Sequence, residues 1–186
     1  MGKRVKHILK DTHGESFPFT VAIVLLLFLL LCGISEYFRL QIIVSGVREA
    51  LEDGIISIVN DNYVGVYHGV REGYSGGYIP DRLSDWEESL NTGDLYAYLD
   101  KTIGTKFQGG RCVKYVVDEN NAIEFAIDDL NVTIRNAPLA PSEPHNVQRF
   151  EAEAMVRLEV PVRFGGKLLP SMFIRLKVQA GYIEMF

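Results

Sequence analysis

Residues 17–34 read FPFTVAIVLLLFLLLCGI, eighteen positions without a charge. No segment constrains the fold of this chain more. As a helix the run covers about 27 Å at 1.5 Å per residue, close to the roughly 30 Å of a bilayer's hydrocarbon core. Pro18 stands where a helix tolerates proline, in the first turn, whose N–H groups have no intrahelical partner. A cleaved secretory signal would have a shorter core followed by a small-residue site, and Gly33-Ile34-Ser35-Glu36-Tyr37 does not supply one. A lipoprotein signal would need a small residue before Cys32, where Leu31 stands. A helix buried in a soluble core is the third alternative. The length and purity of the run favour a membrane-anchored helix over all three.

Charge gives the anchor a direction. Lys3, Arg4, Lys6 and Lys10 precede the run against Asp11 and Glu15, a balance of +2, while the 15 basic and 22 acidic residues after it give −7. Short basic flanks stay in the cytoplasm. The sequence therefore predicts a basic cytoplasmic leader over 1–16, a transmembrane helix over 17–35 and an extracytoplasmic remainder. The acidic exterior argues against a nucleic-acid partner, which requires clustered Lys and Arg.

Helical periodicity continues past the run. Over 36–59, Ile43, Val47, Ala50, Leu51, Ile55 and Ile58 recur at steps of three and four, the pattern of one apolar helix face. Gly46 and Gly54 each weaken a helix by about 1 kcal/mol relative to Ala. One long helix is expected, in lipid first and amphipathic over 36–60, with its stripe packed on a head spanning 61–186. Residues 60–80 bring Tyr63, Tyr67, Tyr74 and Tyr78 among five glycines. They read as a helix end and loop whose tyrosines pack on the head or present a contact surface to a neighbouring subunit. Residues 81–104 read as two helical pieces. Asp81–Leu90 carries the single tryptophan, Trp86, and a second piece is capped by Asn91 with Asp94 in its first turn. Leu95, Leu99 and Ile103 form its apolar face, and Gly104 ends it.

The rest reads as β. Residues 111–118 and 122–127 flank Glu119-Asn120-Asn121, a hairpin signal, and 130–136 alternate. A loop follows with Pro138, Pro141 and Pro144. In 150–164, Phe150, Ala152, Ala154, Val156, Leu158, Val160, Val162 and Phe164 alternate with charged residues, and 172–180 alternate likewise after a turn at Gly165-Gly166-Lys167. Such strands form a half-buried antiparallel sheet, and the helix stripe is its natural cover. The expected class is α+β: a long N-terminal helix, transmembrane then amphipathic, packed on a C-terminal antiparallel sheet.

The segment Gly33, Ile34, Glu36, Tyr37 and Arg39, with Ala50 beyond it, resembles the Gly-Ile-Ile-Glu-aromatic-x-Arg pattern of the TadE-like pseudopilins of tight-adherence (Flp) pili. The overall plan resembles type IV pilin architecture. The resemblance covers roughly residues 14–51, a quarter of the chain. It implies a pilus, secretion or conjugation subunit that assembles through its apolar helix with other pilin-like subunits and assembly machinery, as a homo- or hetero-oligomer. It also implies processing by a prepilin peptidase after Gly14, leaving Glu15 at the new N-terminus. The family often carries a glutamate near the fifth position after the cut; Phe19 and Thr20 stand there in this chain, so a permanently anchored relative is the alternative. Independently of any family, Glu36 and Arg39 are three apart on a helix, where opposite charges meet. They can anchor the helix at the membrane boundary or pair between subunits.

Catalytic motifs do not occur: there is no P-loop, G-x-S-x-G, C-x-x-C or H-E-x-x-H. His7 and His13 lie in the leader, leaving His68 and His145 outside, too few for a three-histidine metal site. Cys32 and Cys112 fall in lipid and in a head strand, so no internal disulfide is expected. Asn131-Val132-Thr133 fits a glycosylation acceptor but stands mid-strand. The sequence thus predicts a subunit without cofactor, metal or catalytic site. The rival is an anchored extracytoplasmic binding or accessory protein that never enters a filament.

Overall fold

One helix, α1 (Ser16–Arg71), runs for 56 residues, about 84 Å at the α-helical rise. The structure, a computed structural model, describes residues 16–71, 77–80, 85–117, 122–136 and 150–181, with no side-chain description at 16, 63–65 and 67–71. The two halves of α1 have different environments. Every residue from Phe17 to Ser35 is exposed. Beyond Arg39 a single stripe is buried: Ile43, Val47, Ala50, Leu51, Ile55 and Ile58, the six positions expected from periodicity, and then Val59, Asn62 and Val66. Because the stripe continues at i, i+4 through residues 58, 62 and 66, the helix persists to Arg71. It does not end near residue 60, as expected; Gly65 and Gly69 lower helix propensity but do not interrupt a face held by packing.

Asn62 is the polar member of that stripe. Its Nδ2 donates to the Ile58 carbonyl and to the Asn91 carbonyl, each at 2.8 Å, and its Oδ1 accepts from the Asn91 N–H at 2.8 Å. The side-chain amide replaces a strand neighbour for Asn91 and is fully satisfied, as a buried amide must be. Asn91 therefore does not cap the following helix. The cap is Asp94, whose carboxylate accepts from the Ala97 N–H at 3.0 Å. Helix α2 (Leu95–Ile103) then runs to Gly104, which takes the left-handed conformation at φ 66°. Leu95 and Leu99 are buried against α1.

Before α2, strands β1 (Tyr78–Pro80) and β2 (Trp86–Glu88) pair antiparallel. The expected helix over Asp81–Leu90 is thus corrected: Trp86 lies in a strand. Proline at residue 80 and a window too short for two full apolar turns leave the segment to hairpin pairing. Residues 81–84 lie outside the described residues.

The main sheet is wholly antiparallel in the order β3 (Lys106–Gln108), β4 (Arg111–Tyr115), β5 (Ile123–Arg135), β6 (Glu151–Val160) and β9 (Met172–Gly181). The β4–β5 hairpin matches the sequence reading. The two alternating segments expected over 122–127 and 130–136 are one strand, interrupted by a bulge. Asp128 faces Arg157 while Asn131 faces Met155, so one extra residue sits on β5, and Asp129 there has φ 50°. A short polar side chain tolerates that conformation best. The bulge turns both carboxylates toward Arg157, at 2.8 Å from Asp128 and 3.3 Å from Asp129. Along β6, Ala152, Ala154, Val156, Leu158 and Val160 are buried under α1, while Arg157 and Glu159 stay on the outer face in ion pairs. The alternation predicted this division.

The final hairpin differs from expectation at its tip. Strand β6 stops at Val160, opposite Met172. Pro161 cannot donate to a ladder. The pairing resumes one residue out of register as a short hairpin, β7 (Arg163–Phe164) with β8 (Lys167–Leu168), closed by Gly165 and Gly166 at φ 57° and 77°.

Helices α1 and α2 approach closely at Gly54, where a Cβ would collide with Leu95 Cδ1 and stand 3.1 Å from Tyr98 Cδ1. At Gly46 a Cβ would meet nothing within 4 Å. Gly46→Ala is therefore expected to stabilise by about 0.5–1 kcal/mol. Gly54→Ala is expected to destabilise, because overpacking costs about 1–3 kcal/mol. Chemical denaturation of the two variants in detergent, followed by circular dichroism, should move their midpoints in opposite directions.

Candidate functional site: the junction of the apolar run and the head

The first half of α1 is apolar, long and uncovered. It is long and apolar enough to cross a membrane, and none of the run is buried inside the molecule. A core helix passes the same length and composition test but would be covered. Leu25 through Leu31 are each more than half exposed. A soluble monomer rarely exposes a contiguous apolar patch larger than a few hundred Å².

The junction begins where this run ends. Glu36 and Arg39 meet as the i, i+3 spacing predicts, in a two-point contact: Arg39 Nη2 donates to Glu36 Oε1 at 2.7 Å and Nε to Oε2 at 2.9 Å. The pair does not face away from its own chain. Arg39 Nη2 also donates to the Pro161 carbonyl at 2.5 Å, and Glu36 Oε1 accepts from the Arg163 N–H at 2.7 Å. Both side chains are largely covered, at 27% and 13% exposure. The pair thus clasps the helix to the segment joining β6 and β7. Neither Pro161 nor Arg163 was identifiable as a partner from sequence; the signal was Pro161 itself, which breaks the β6 alternation and leaves ladder groups to be satisfied elsewhere.

Past the clasp, β7 follows the helix toward the run. Phe164 Cε2 lies 4.0 Å from where a Cβ would stand on Gly33. Tyr37 and Phe38, both 59% exposed, stack edge to face at a centroid distance of 6.0 Å, and Gln41 donates to the Tyr37 hydroxyl at 3.2 Å. Aromatic side chains of this kind are enriched at bilayer interfaces.

The other sequence candidates are dispersed or undescribed. Gly14 and Glu15 lie outside the described residues, as does Tyr74. Tyr63 and Tyr67 fall on α1 with undescribed side chains. Tyr78 opens β1, half-buried, with its hydroxyl 3.4 Å from Glu88 Oε1; burial, with the nearby Glu88 charge, raises its pKa. Cys32 is exposed on the run and Cys112 is buried in β4. Asn131 and Thr133 stand mid-strand in β5. A recess at the sheet edge lined by Gly104, Lys106, Gln108, Lys114 and Tyr115 has its Lys114 ammonium donating to the Ile103 carbonyl at 2.5 Å. Among the described residues no three His, Cys, Asp or Glu side chains gather as metal ligands.

Cys112 forms a small polar node with Thr105 and Asp100. The thiol donates to Asp100 Oδ1 at 3.7 Å and the Thr105 hydroxyl donates to the same oxygen at 2.6 Å. Burial raises the thiol's pKa to about 11 from an ordinary 9.0, the Thr105 contact partly opposing it and the Asp100 charge adding to it. The protein's neutral thiol is inert, since the thiolate is the reactive form.

No protein-family model, curated protein or solved structure matches the chain.

Two predictions follow from these geometries. Glu36→Ala and Arg39→Ala should each expose the 161–169 segment, because each removes a charged partner of a backbone group at a cost of about 1–3 kcal/mol. Faster amide exchange at Arg163 and Leu169 is the readout. The double swap Glu36→Arg with Arg39→Glu should not restore protection, since the Arg163 N–H requires an acceptor and the Pro161 carbonyl a donor. For Cys112, the raised pKa means the folded state holds its proton longer than the unfolded one. Its stabilising contribution is complete below about pH 9 and is lost as pH rises through about 11. Urea unfolding from pH 8 to 11 should therefore show a steeper decline for the native chain than for Cys112→Ala.

Proposed function

We propose that the chain is a single-pass anchored subunit with its N-terminus in the cytoplasm and its head outside, and that it serves as a pilin-like structural component of a tight-adherence-type pilus or a related secretion or conjugation apparatus. The observation that carries this reading is the division of α1. One uninterrupted helix is bare and apolar in its first half and forms the head's core with its second. A helix built this way can associate laterally with copies of itself or its relatives in lipid or in a filament, while the head stays folded without them. The short TadE-like pattern from Gly33 to Arg39 and the basic leader support the same reading and its orientation. Partners on this view are the membrane, other pilin-like subunits, the assembly machinery and a prepilin peptidase acting after Gly14. No cofactor or catalytic step is invoked.

A second reading has its own support. The Glu36–Arg39 pair, a natural candidate for pairing between subunits, is used within the chain to hold the head to the helix. That favours an anchored accessory protein that remains in the membrane and never enters a filament.

Expression in a cell carrying the pilus machinery separates the two. The filament reading expects the chain in fibres sheared from the surface, with an N-terminus at Glu15. Retention of the whole population in the membrane pellet with Met1 intact would reject it in favour of the accessory reading. Both readings expect Leu27→Arg, which places a charge at the centre of the run at a cost of roughly 2.5–3.5 kcal/mol, to reduce membrane insertion.

A further inference from the structure

The β7–β8 hairpin has no role in the head's core, yet it is held firmly and points along the helix. Going from Pro161 to Arg163 to Phe164, the chain meets α1 successively at Arg39, Glu36 and Gly33. Six helical residues rise about 9 Å and three extended residues about 10 Å, so strand and helix descend together toward the apolar run. The turn at Gly165-Gly166 lies one step further along the hairpin. Phe164 and, opposite it, Lys167 flank the turn, Leu168 stands opposite Arg163, and the Leu169 N–H donates to the Val162 carbonyl at 2.8 Å; Phe164, Leu168 and Leu169 are 39%, 73% and 47% exposed, and Lys167 is exposed as well. Three large apolar side chains on a short exposed hairpin have no benefit in water. Ile34, Tyr37 and Phe38, on the same turns of α1 as Gly33 and Glu36, are also exposed.

We propose that this hairpin is a second membrane contact: a foot that inserts Phe164, Leu168 and Leu169 into the interfacial layer of the leaflet beside the head, with Lys167 at the lipid headgroups. The inference rests on the membrane-spanning reading of residues 17–34, because the foot's occupant is argued from its continuity with that run. Its mixture is that of an interfacial segment: apolar side chains and, next to the turn, a long cation whose stem reaches back to the headgroups. The Glu36–Arg39 clasp then has a purpose beyond packing. It fixes the foot at the depth where the run leaves lipid, so the head rests against the membrane at two points rather than pivoting on one helix.

Tryptophan depth measurements on the full chain in phosphatidylcholine nanodiscs test this. The single native tryptophan, Trp86, serves as the head reporter: its hairpin leads into Asn91, which meets α1 at Asn62, about 40 Å along the helix from Gly33. In a Trp86→Phe background, Leu168→Trp and Leu169→Trp report the foot and Phe28→Trp reports the span; circular dichroism verifies folding. The foot predicts blue-shifted emission from residues 168 and 169, quenching by lipids brominated near the headgroup end of the chain, and protection from aqueous acrylamide, none of which Trp86 shows. If Phe28→Trp is quenched by brominated lipid while both foot reporters emit as in water and yield to acrylamide, the foot is wrong and the span stands. Foot reporters shielded from acrylamide and from lipid alike would mean that protein covers the hairpin, which also overturns the proposal. If Phe28→Trp itself escapes lipid quenching, the spanning reading fails and the foot falls with it.

Discussion

The eighteen-residue run, exposed along its whole length, sets the terms for everything else in this molecule. An apolar helix of that length is unstable in water and at rest in a bilayer, where its backbone is already satisfied and its side chains match the solvent. Because the run continues without a break into the helix that forms the head's core, the head inherits its position from the run. The sheet has one apolar face, α1 supplies the stripe that covers it, and the same rod fixes how far the head stands from residues 17–34. Two features then refine how the head sits on the rod: Gly54, which lets α2 approach α1 closely, and the Glu36–Arg39 pair, which ties the rod to the segment beyond β6.

The clasp changes the meaning of a charge pair that sequence makes conspicuous. Spacing alone says that Glu36 and Arg39 can meet, and they do. It cannot say that both have further partners 122 and 127 residues away. Those partners are backbone groups left over where Pro161 ends one ladder and the next begins out of register. The pair satisfies them, which is why exchanging the two charges is not equivalent to keeping them.

Much of the architecture was legible because periodicity reports burial directly. The stripe from Ile43 to Ile58 and the alternation from Phe150 to Val160 each give a face, and the two faces match. What escaped detection depended on long-range contacts or on single residues. The helix outlasts its expected end because the buried stripe continues to Val66 through Asn62, a polar residue that breaks the apolar pattern but satisfies Asn91. The Trp86 segment is a strand because it pairs with Tyr78–Pro80, a partner that local spacing does not reveal. The bulge at Asp129 joins two segments that the pattern had separated. At the junction, the charge pair was legible and its partners Pro161 and Arg163 were not.

The central claim is that one rigid helix is immersed in lipid before Ser35 and is head core after Arg39. A nitroxide scan of residues 20–60 in nanodiscs, one label at a time with Cys32 and Cys112 replaced by alanine, tests it most directly. The account predicts oxygen accessibility on every face from 20 to 34, then a 3.6-residue oscillation with minima at 43, 47, 51, 55 and 58. Water accessibility across 20–34, or an oscillation that begins there and marks one face as covered by the head, would contradict it.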